Sequence, residues 1–218
     1  MSDQPFIRWD WIVDHADEIW IRFVEHLQLT GIAVAMGALI SFPLAVLAYR
    51  KRLFYGPLTW ITGILYTIPS LALFAMLVPY TGLSVTTAEI GLVSYTLLII
   101  VRNTVAGLDG VEADSKEAAV GNGFSPRQLL WRVELPLALP AIVAGLRIAV
   151  VTTIGLVTVT ALIGYGGFGY FILLGMDRRF TTATLLGAAL SVLLAIGADR
   201  LLILAERRVT PWTRVKTT

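Results

Sequence analysis

The sequence contains no cysteine, only two histidines and few charged residues. Without cysteine the chain can form no disulfide, no thiol nucleophile and no cysteine-ligated zinc or iron–sulfur site. His15 and His26 both precede the first long apolar run, so we expect no histidine-rich metal centre within the apolar segments. No basic run alternates with aromatic residues, as it does in many nucleic-acid-binding proteins. The composition therefore argues against resident metals and against nucleic acid as a partner.

Long apolar runs dominate the rest of the chain. Charged residues make up 15% of it, against about 25% in a typical soluble domain, and hydrophobic residues make up 56%. A helix needs roughly 20 mostly apolar residues to cross a bilayer. Four runs without a charged residue are about that long or longer: residues 27–49, 53–88, 148–176 and 180–198. The chain is therefore predicted to be a polytopic membrane protein, and its spans should all be helices because lipid offers no partner for unpaired backbone groups.

We predict a lead-in segment, five spans and a tail. Residues 1–26 mix acidic residues with aromatic and aliphatic ones at near-helical spacing, which is typical of an amphipathic helix at the membrane interface. Pro69 should kink the second span. Residues 206–218 form the tail. The five spans are expected at about residues 27–49, 58–78, 86–108, 140–163 and 181–205.

The distribution of Lys and Arg predicts the orientation. If the Arg50–Arg52 turn faces the cytoplasm, residues 109–136 and the tail lie on the same side. That side then carries twelve of the 17 basic residues, the other side carries four, and Arg147 lies within the fourth span. The positive-inside rule therefore predicts an extracytoplasmic N-terminus and a cytoplasmic C-terminus. Arg147 is only seven residues from Pro140, roughly 10 Å along a helix, so we expect it to reach the surface or form a salt bridge.

The polar segment 109–136 predicts two short helices. Residues 113–120 have helix-forming composition, and the glycines that follow should end this first helix. Ser125 is a suitable N-cap for a second helix that begins at Pro126 and continues to about residue 133. Two later prolines, Pro136 and Pro140, are expected to close the unit. The segment should form a compact knob on the cytoplasmic side that fits the groove of a partner.

This loop resembles the EAA signature of ABC-importer permeases, E-A-A-x3-G-x9-I-x-L-P. The pattern is matched at Glu117, Ala118, Ala119, Gly123, Leu135 and Pro136, with Val133 at the isoleucine position. Four further runs resemble the permeases of osmoprotectant importers: residues 67–74, 100–104, 133–140 and 144–147. The resemblance covers about residues 27–180.

The resemblance implies an all-α polytopic membrane protein with five transmembrane helices, the MetI-like fold of type I ABC-importer permeases and a place in the bacterial cytoplasmic (inner) membrane. In that family the loop forms coupling helices that sit in a cleft of a cytoplasmic ATPase. The expected partners are two ABC ATPase subunits, a second permease (identical or not) and an extracytoplasmic substrate-binding protein. The chain itself should be no enzyme and hold no cofactor, because ATP and Mg would be bound by the ATPase. The coupling residues implied here are Glu117, Ala118, Ala119, Gly121, Gly123, Leu135 and Pro136.

The implied cargo is a quaternary amine such as glycine betaine, choline or carnitine. The alternative is the same architecture importing methionine or another amino-acid derivative. Aromatic faces attract quaternary ammonium groups, and the candidates for the solute path are Tyr66, Phe74, Tyr95 and Tyr165. The glycine-rich segment 164–169 is expected to be an irregular turn followed by a short interfacial or re-entrant piece over residues 168–176, or else a plain loop.

Two other classes are less consistent with the sequence. An intramembrane enzyme needs paired catalytic groups at membrane depth, and the predicted spans contain no such pair. A channel or secondary transporter would carry paired charges on discontinuous helices near the midplane. It would also leave the EAA-like loop without a role.

Overall fold

The structure is a computed structural model that describes residues 7–211. Those residues form helices and turns, with no strand among them. The ten α-helices of this part of the chain are α1 (Trp9–Asp14), α2 (Ala16–Arg50), α3 (Tyr55–Thr67), α4 (Ser70–Thr81), α5 (Val85–Asp109), α6 (Ala113–Gly121), α7 (Pro126–Leu129), α8 (Leu135–Val159), α9 (Gly169–Asp177) and α10 (Thr181–Val209).

Four helical segments are long and apolar enough to cross a membrane, and α3 with α4 makes a fifth, broken span. The four are residues 16–50, 85–109, 126–163 and 181–209. The predicted all-α class with five spans is thus confirmed. The second span is broken rather than kinked, because α3 and α4 meet at 95°. Pro69 lacks an N–H and pushes the residue before it out of the helical region, and Ile68 is accordingly extended (φ −64°, ψ 126°).

The helix that carries the first predicted span begins earlier than that span. α2 runs without interruption from Ala16, so residue 26 does not mark the end of a separate lead-in helix. Between residues 16 and 27 there is no proline or glycine to break the helix. Arg22 also supports it through ion pairs with Glu18 and Glu25 on adjacent turns. Only α1 is a separate lead-in helix, and residues 1–6 of the predicted segment lie outside the described residues.

The two short helices of the loop are present, but the second does not end at the prolines. It continues from α7 through a π-helical turn at Leu130–Glu134 into α8, so the prediction that Pro136 and Pro140 close the unit is wrong. A π turn widens the hydrogen-bond ladder. It thereby accommodates Pro136, which has no N–H to donate and whose ring would crowd the carbonyl four residues earlier.

α5 is the centre of the bundle and packs against α2, α3, α4 and α8. Small residues allow the backbones to approach closely. A Cβ atom on Gly37 of α2 would lie 1.8 Å from the Thr96 hydroxyl, and one on Gly145 of α8 would lie 2.4 Å from the Cβ of Asn103. The glycines therefore determine how closely the first and fourth spans can pack against the third.

The bundle has two ends, which we name by their loops. The loop end carries residues 110–134 together with the C-terminal ends of α2 and α10. The opposite end carries α1, the start of α5 and the segment from Gly164 to α9, and there the Arg8 amide donates to the Thr182 hydroxyl (3.1 Å).

Candidate functional site

The turn that ends α6 explains one glycine of the EAA-like pattern. Gly123 has φ +79°, a left-handed conformation that side chains with a Cβ rarely adopt. Its N–H donates to the carbonyl of Val120 (2.9 Å), and the next N–H, of Phe124, donates to the carbonyl of Ala119 (3.1 Å). This pair of bonds is the Schellman motif, which satisfies the last carbonyls of a helix. Ser125 and Gln128 then form a capping box that starts α7.

α6 presents one face outward, formed by Glu117, Ala118, Val120 and Gly121, all of which are exposed. We call these four residues the outer face of α6. Within residues 7–211 Glu117 has no hydrogen-bond or ion-pair partner. A Cβ added at Gly121 would meet nothing within 4 Å, so the chain's own packing does not require a glycine there. A small residue next to an unpaired carboxylate is suited to the close approach of another protein.

The other predicted coupling residues have different surroundings. Ala119 and Leu135 are buried, and Pro136 is half-buried. Gly123 is exposed within its turn. The EAA-like pattern therefore divides into residues that face outward and residues that hold the loop together. Beside them, Trp131 exposes 58% of its surface in the π turn.

The inner side of α6 meets α2 through a polar network that the sequence analysis did not identify. The Tyr49 hydroxyl donates to Glu134 Oε1 (2.6 Å), and Lys116 Nζ donates to the Tyr49 hydroxyl (3.2 Å) and to the carbonyl of Leu108 (3.3 Å). Lys116 Nζ also lies 3.9 Å from Glu134 Oε1. Glu134 is buried. Its occurrence between Val133 and Leu135, at an unspecified position of the pattern, gave no signal for this role.

Two further contacts link the residues around the end of α2 to the loop and to the end of α5. Arg50 donates to the carbonyl of Pro126 (2.8 Å), and Arg52 forms an ion pair with Asp109 at the end of α5. The hydrogen bond that the Arg52 guanidinium donates to this carboxylate raises the pKa of the guanidinium above its ordinary value. Arg52 therefore stays charged, and its guanidinium lies 5.5 Å from the centre of the Tyr49 ring.

At the opposite end the glycine-rich segment is an irregular turn that leads into the short helix α9, as one of the two predicted alternatives has it. Glu25 accepts from the N–H of Gly166 (3.1 Å). His26 Nδ1 accepts from the N–H of Phe168 (3.2 Å), and its Nε2 donates to the carbonyl of Ile154 (3.0 Å). His26 is fully buried, although it precedes the first long apolar run in the sequence.

The four predicted solute-path aromatics do not form one cluster. Tyr95 is buried, donates to the carbonyl of Ile68 and contacts Tyr66 edge to face at 5.9 Å. Phe74 is buried over Gly91, and Tyr165 packs against the core cluster that contains Phe74. Tyr66 is the most exposed of the four, at 39%, and lies in a groove of about 650 Å³. Phe74 therefore has a packing role in this conformation.

The predicted salt bridge of Arg147 is confirmed. Its guanidinium lies 2.9 Å from Asp199 Oδ1 and 3.2 Å from Glu206 Oε2, both on α10.

No group of three or more His, Cys, Asp or Glu side chains that could hold a metal ion occurs within residues 7–211.

Comparisons with known proteins agree with this architecture. The model of the family "Binding-protein-dependent transport system inner membrane component" matches residues 31–211. The chain is 37% identical over 194 residues to the choline transport system permease protein OpuBB of Bacillus subtilis, covering 89% of each protein. It is 35% identical to the glycine betaine/carnitine/choline transport system permease protein OpuCB of the same organism, again over 89% of each.

The fold also has a close counterpart among solved structures. An inward-facing structure of the MetNI methionine ABC transporter matches with a TM-score of 0.78 at 23% identity, covering 94% of this chain and all of that one. The predicted fold of type I importer permeases is thereby confirmed. The chain belongs to the family of binding-protein-dependent transport system inner membrane components, as a membrane-spanning transport subunit.

Proposed function

We propose that this chain is the permease subunit of an ATP-driven importer and that the outer face of α6 docks on a cytoplasmic ABC ATPase. The observation that carries the proposal is the exposed, unpaired Glu117 beside Ala118 and Gly121, at the positions of the EAA pattern. An exposed carboxylate flanked by small residues supplies both a polar anchor and room for a partner's backbone. ATP and Mg would be bound by the ATPase, and this chain would contribute no catalytic group.

Transport would proceed by alternating access between two permease subunits. A chain with five spans is too small to enclose and gate a solute path alone, so a second permease is required. Two ATPase subunits would close on ATP and displace the loops of both permeases. An extracytoplasmic binding protein would deliver the solute to the opposite end of the bundle, and the loop end would face the cytoplasm of the bacterial cell.

The proposed cargo is an osmoprotectant that carries a trimethylammonium group. Choline, glycine betaine and carnitine, the solutes in the names of the relatives, share this group. Quaternary ammonium binds to the faces of aromatic rings. Trp60 and Tyr66, which line the groove between α3 and α5, offer such faces, and Tyr66 is our first candidate for a solute contact. The likeness to a methionine transporter concerns the fold alone and does not favour methionine as cargo.

Cross-linking from the outer face of α6 tests the docking. Because the chain has no cysteine, an Ala118→Cys variant carries a single thiol that a bifunctional reagent can use. We expect it to cross-link to a co-expressed ABC ATPase in native membranes. Tyr80→Cys is the control, since Tyr80 is 87% exposed at the opposite end. A chain that purifies without an ATPase and gives no Ala118-dependent product would contradict the proposal.

Uptake by the purified complex tests the cargo. The permease, its ATPase and its binding protein are reconstituted in liposomes and supplied with labelled choline, glycine betaine or methionine. ATP-dependent uptake of the two trimethylammonium compounds is expected. Uptake of methionine alone would support the alternative cargo.

A further inference from the structure

We propose that Glu134, Tyr49 and Lys116 join the loop to α2 and α8, so that a displacement of α6 moves the membrane-spanning helices with it. This inference rests on the proposed function of α6 as the helix that docks on an ATPase. The three residues contact neither solute nor nucleotide in this role. They are positioning residues, and we call them the triad.

The triad connects three elements by a continuous chain of polar contacts. Lys116 comes from α6, Tyr49 from the last turn of α2, and Glu134 from the π turn that leads into α8. The ammonium of Lys116 donates to the Tyr49 hydroxyl, and this hydroxyl donates in turn to the Glu134 carboxylate, at 3.2 and 2.6 Å. The three elements are therefore linked directly by hydrogen bonds between their side chains.

Burial makes this chain of contacts costly to break. Glu134 exposes only 6% of its surface. An apolar cluster surrounds this region, made of Phe42, Val46, Leu108, Val111, Leu130, Leu135, Ala138 and Ile142. A buried carboxylate that loses its partners pays the full cost of desolvation, which far exceeds the loss of an exposed bond. A movement of α6 away from α2 would take the Lys116 ammonium from the Tyr49 hydroxyl and leave the buried Glu134 carboxylate without its ion-pair partner, so the two helices should move together.

The two sides of α6 have different roles, and two neighbouring residues fill them. Lys116 faces inward to the triad, and Glu117 faces outward without a partner. Successive residues of a helix point about 100° apart, which places them on different faces. A force applied to the outer face is thus passed to the triad across a single rigid turn.

The π turn between α7 and α8 is the point at which the triad must hold the chain. Residues 130–134 are the only π-helical segment in the part of the chain that the structure describes. Such turns are rare and often mark functional positions. Glu134 is the last residue of this turn. Fixing its side chain to α2 prevents the turn from yielding when α7 is pushed, and the displacement reaches α8 instead.

The test compares ATP hydrolysed with solute imported in the reconstituted complex. Glu134→Gln, Tyr49→Phe and Lys116→Met should each raise the ATP-per-solute ratio by about threefold to tenfold, because ATP closure no longer moves the spans fully. Tyr55→Phe is the matched control. It removes a hydroxyl at the same end of the bundle that bonds to no described residue, so the ratio should stay at the wild-type value.

A double variant separates a shared network from independent packing effects. If the triad acts as one unit, Tyr49→Phe combined with Glu134→Gln should raise the ratio no further than either change alone. Effects that multiply would overturn the proposal, as would a wild-type ratio in all three single variants of an active complex. A wild-type complex without ATP-dependent uptake would instead overturn the proposed function, and the inference with it.

A distance measurement in the same complex needs no transport activity. Leu53→Cys and Asp114→Cys place two spin labels on exposed positions, one beside the end of α2 and one on α6. Adding Glu134→Gln should broaden the distance distribution, and adding Tyr55→Phe should not. An unchanged distribution with Glu134→Gln would overturn the inference even if that variant transports poorly.

Discussion

At the scale of single residues, the loop shows why neighbouring positions of one pattern do different things. Ala119 is buried, Gly123 adopts a left-handed conformation, and Glu117 and Gly121 face outward. The EAA-like pattern thus meets two separate requirements. One set of residues folds the loop, and the other is left for a partner. Substitutions should separate these requirements, because stability and coupling depend on different atoms.

Glu117→Arg should weaken coupling strongly without unfolding the chain. The side chain is exposed and unpaired, so the melting temperature of the purified permease should change little. Reversing its charge should reduce ATP-dependent uptake by about tenfold or more, since one charge-assisted contact between proteins contributes about 1.5–3 kcal/mol. Glu112→Arg serves as a control on the same loop, being exposed five residues earlier at the start of α6. Normal uptake by the Glu117 variant would remove this residue from the proposed interface.

Gly123→Ala and Gly121→Ala should have opposite consequences. Alanine at 123 is strained by φ +79°, and we expect a loss of about 1–2 kcal/mol in stability. Alanine at 121 meets no atom within 4 Å, so the stability of the chain should be preserved while binding of the ATPase weakens. Thermal melts of the permease and titration with the ATPase measure the two effects. Equal stability losses in both variants would contradict this division.

At the scale of helices, α10 depends on charge as well as on apolar contact. The apolar contacts of α10 are with α8 and α9, and most of the residues on its central stretch are not buried within the chain. Arg147 of α8 reaches Asp199 and Glu206, which lie two turns apart on the same side of α10. A single guanidinium therefore fixes the rotation of the last span about its own axis.

Arg147→Met should loosen the C-terminal half of α10. Both acids lose their partner while the aliphatic part of the side chain is retained. We expect a melting temperature lower by several degrees, in keeping with the loss of about 1–2 kcal/mol, and faster proteolysis near residue 206. Arg200→Met is the control, because this exposed neighbour of Asp199 makes no ion pair with a described residue. Similar effects of the two changes would mean that positive charge near α10 stabilises it in general, and that the ion pairs of Arg147 with Asp199 and Glu206 do not.

At the scale of the whole molecule, α2 is tied to the rest of the bundle at both of its ends. Tyr49 bonds to the π turn near the loop end, and Glu25 and His26 bond to the glycine-rich turn and to α8 at the opposite end. α2 is 35 residues long, or roughly 50 Å at 1.5 Å per residue. One helix therefore connects the proposed ATPase-facing and solute-receiving sides.

His26→Leu should destabilise the opposite end. The change leaves the N–H of Phe168 without its acceptor in a buried turn, which costs about 1–3 kcal/mol. His15→Leu is the control, since the described bond of that ring is to the carbonyl of Trp11 one turn earlier in the chain. Hydrogen exchange over residues 164–170 should rise in the His26 variant only. Unchanged exchange would show that packing alone holds this turn.

The orientation of the molecule can be tested with single thiols. If the loop end is cytoplasmic, a membrane-impermeant maleimide should label Tyr80→Cys on intact spheroplasts and Leu53→Cys only after permeabilisation. Both side chains are more than 80% exposed, so access to the reagent depends on the side of the membrane. The reverse pattern would contradict the distribution of Lys and Arg as a guide to topology.

Much of this protein follows from local sequence alone. The membrane class and the five spans follow from the lengths of the apolar runs, because lipid requires each span to satisfy its own backbone. The ends of α6 and the start of α7 follow from Gly123, Ser125 and Pro126, because caps act over three or four residues. The passage from α7 into α8 was missed, since a π turn depends on how the neighbouring turns pack. The continuity of α2 was missed although residues 16–27 contain no proline or glycine that would break the helix.

Which polar residues are buried, and which groups they bond to, depends on the packing of the helices. Glu134 bonds to a tyrosine 85 residues away in the sequence, and His26 bonds to a carbonyl 128 residues away. No local pattern distinguishes these two side chains from the exposed Glu117 or from His15, whose ring bonds to a carbonyl only four residues earlier in the chain. Whether a polar residue is solvated or buried depends on what the packed helices bring against it, and the cost of burial then requires a partner at that point. The class, the spans and the loop therefore follow from local sequence, and the packing of the helices sets how the two ends are connected.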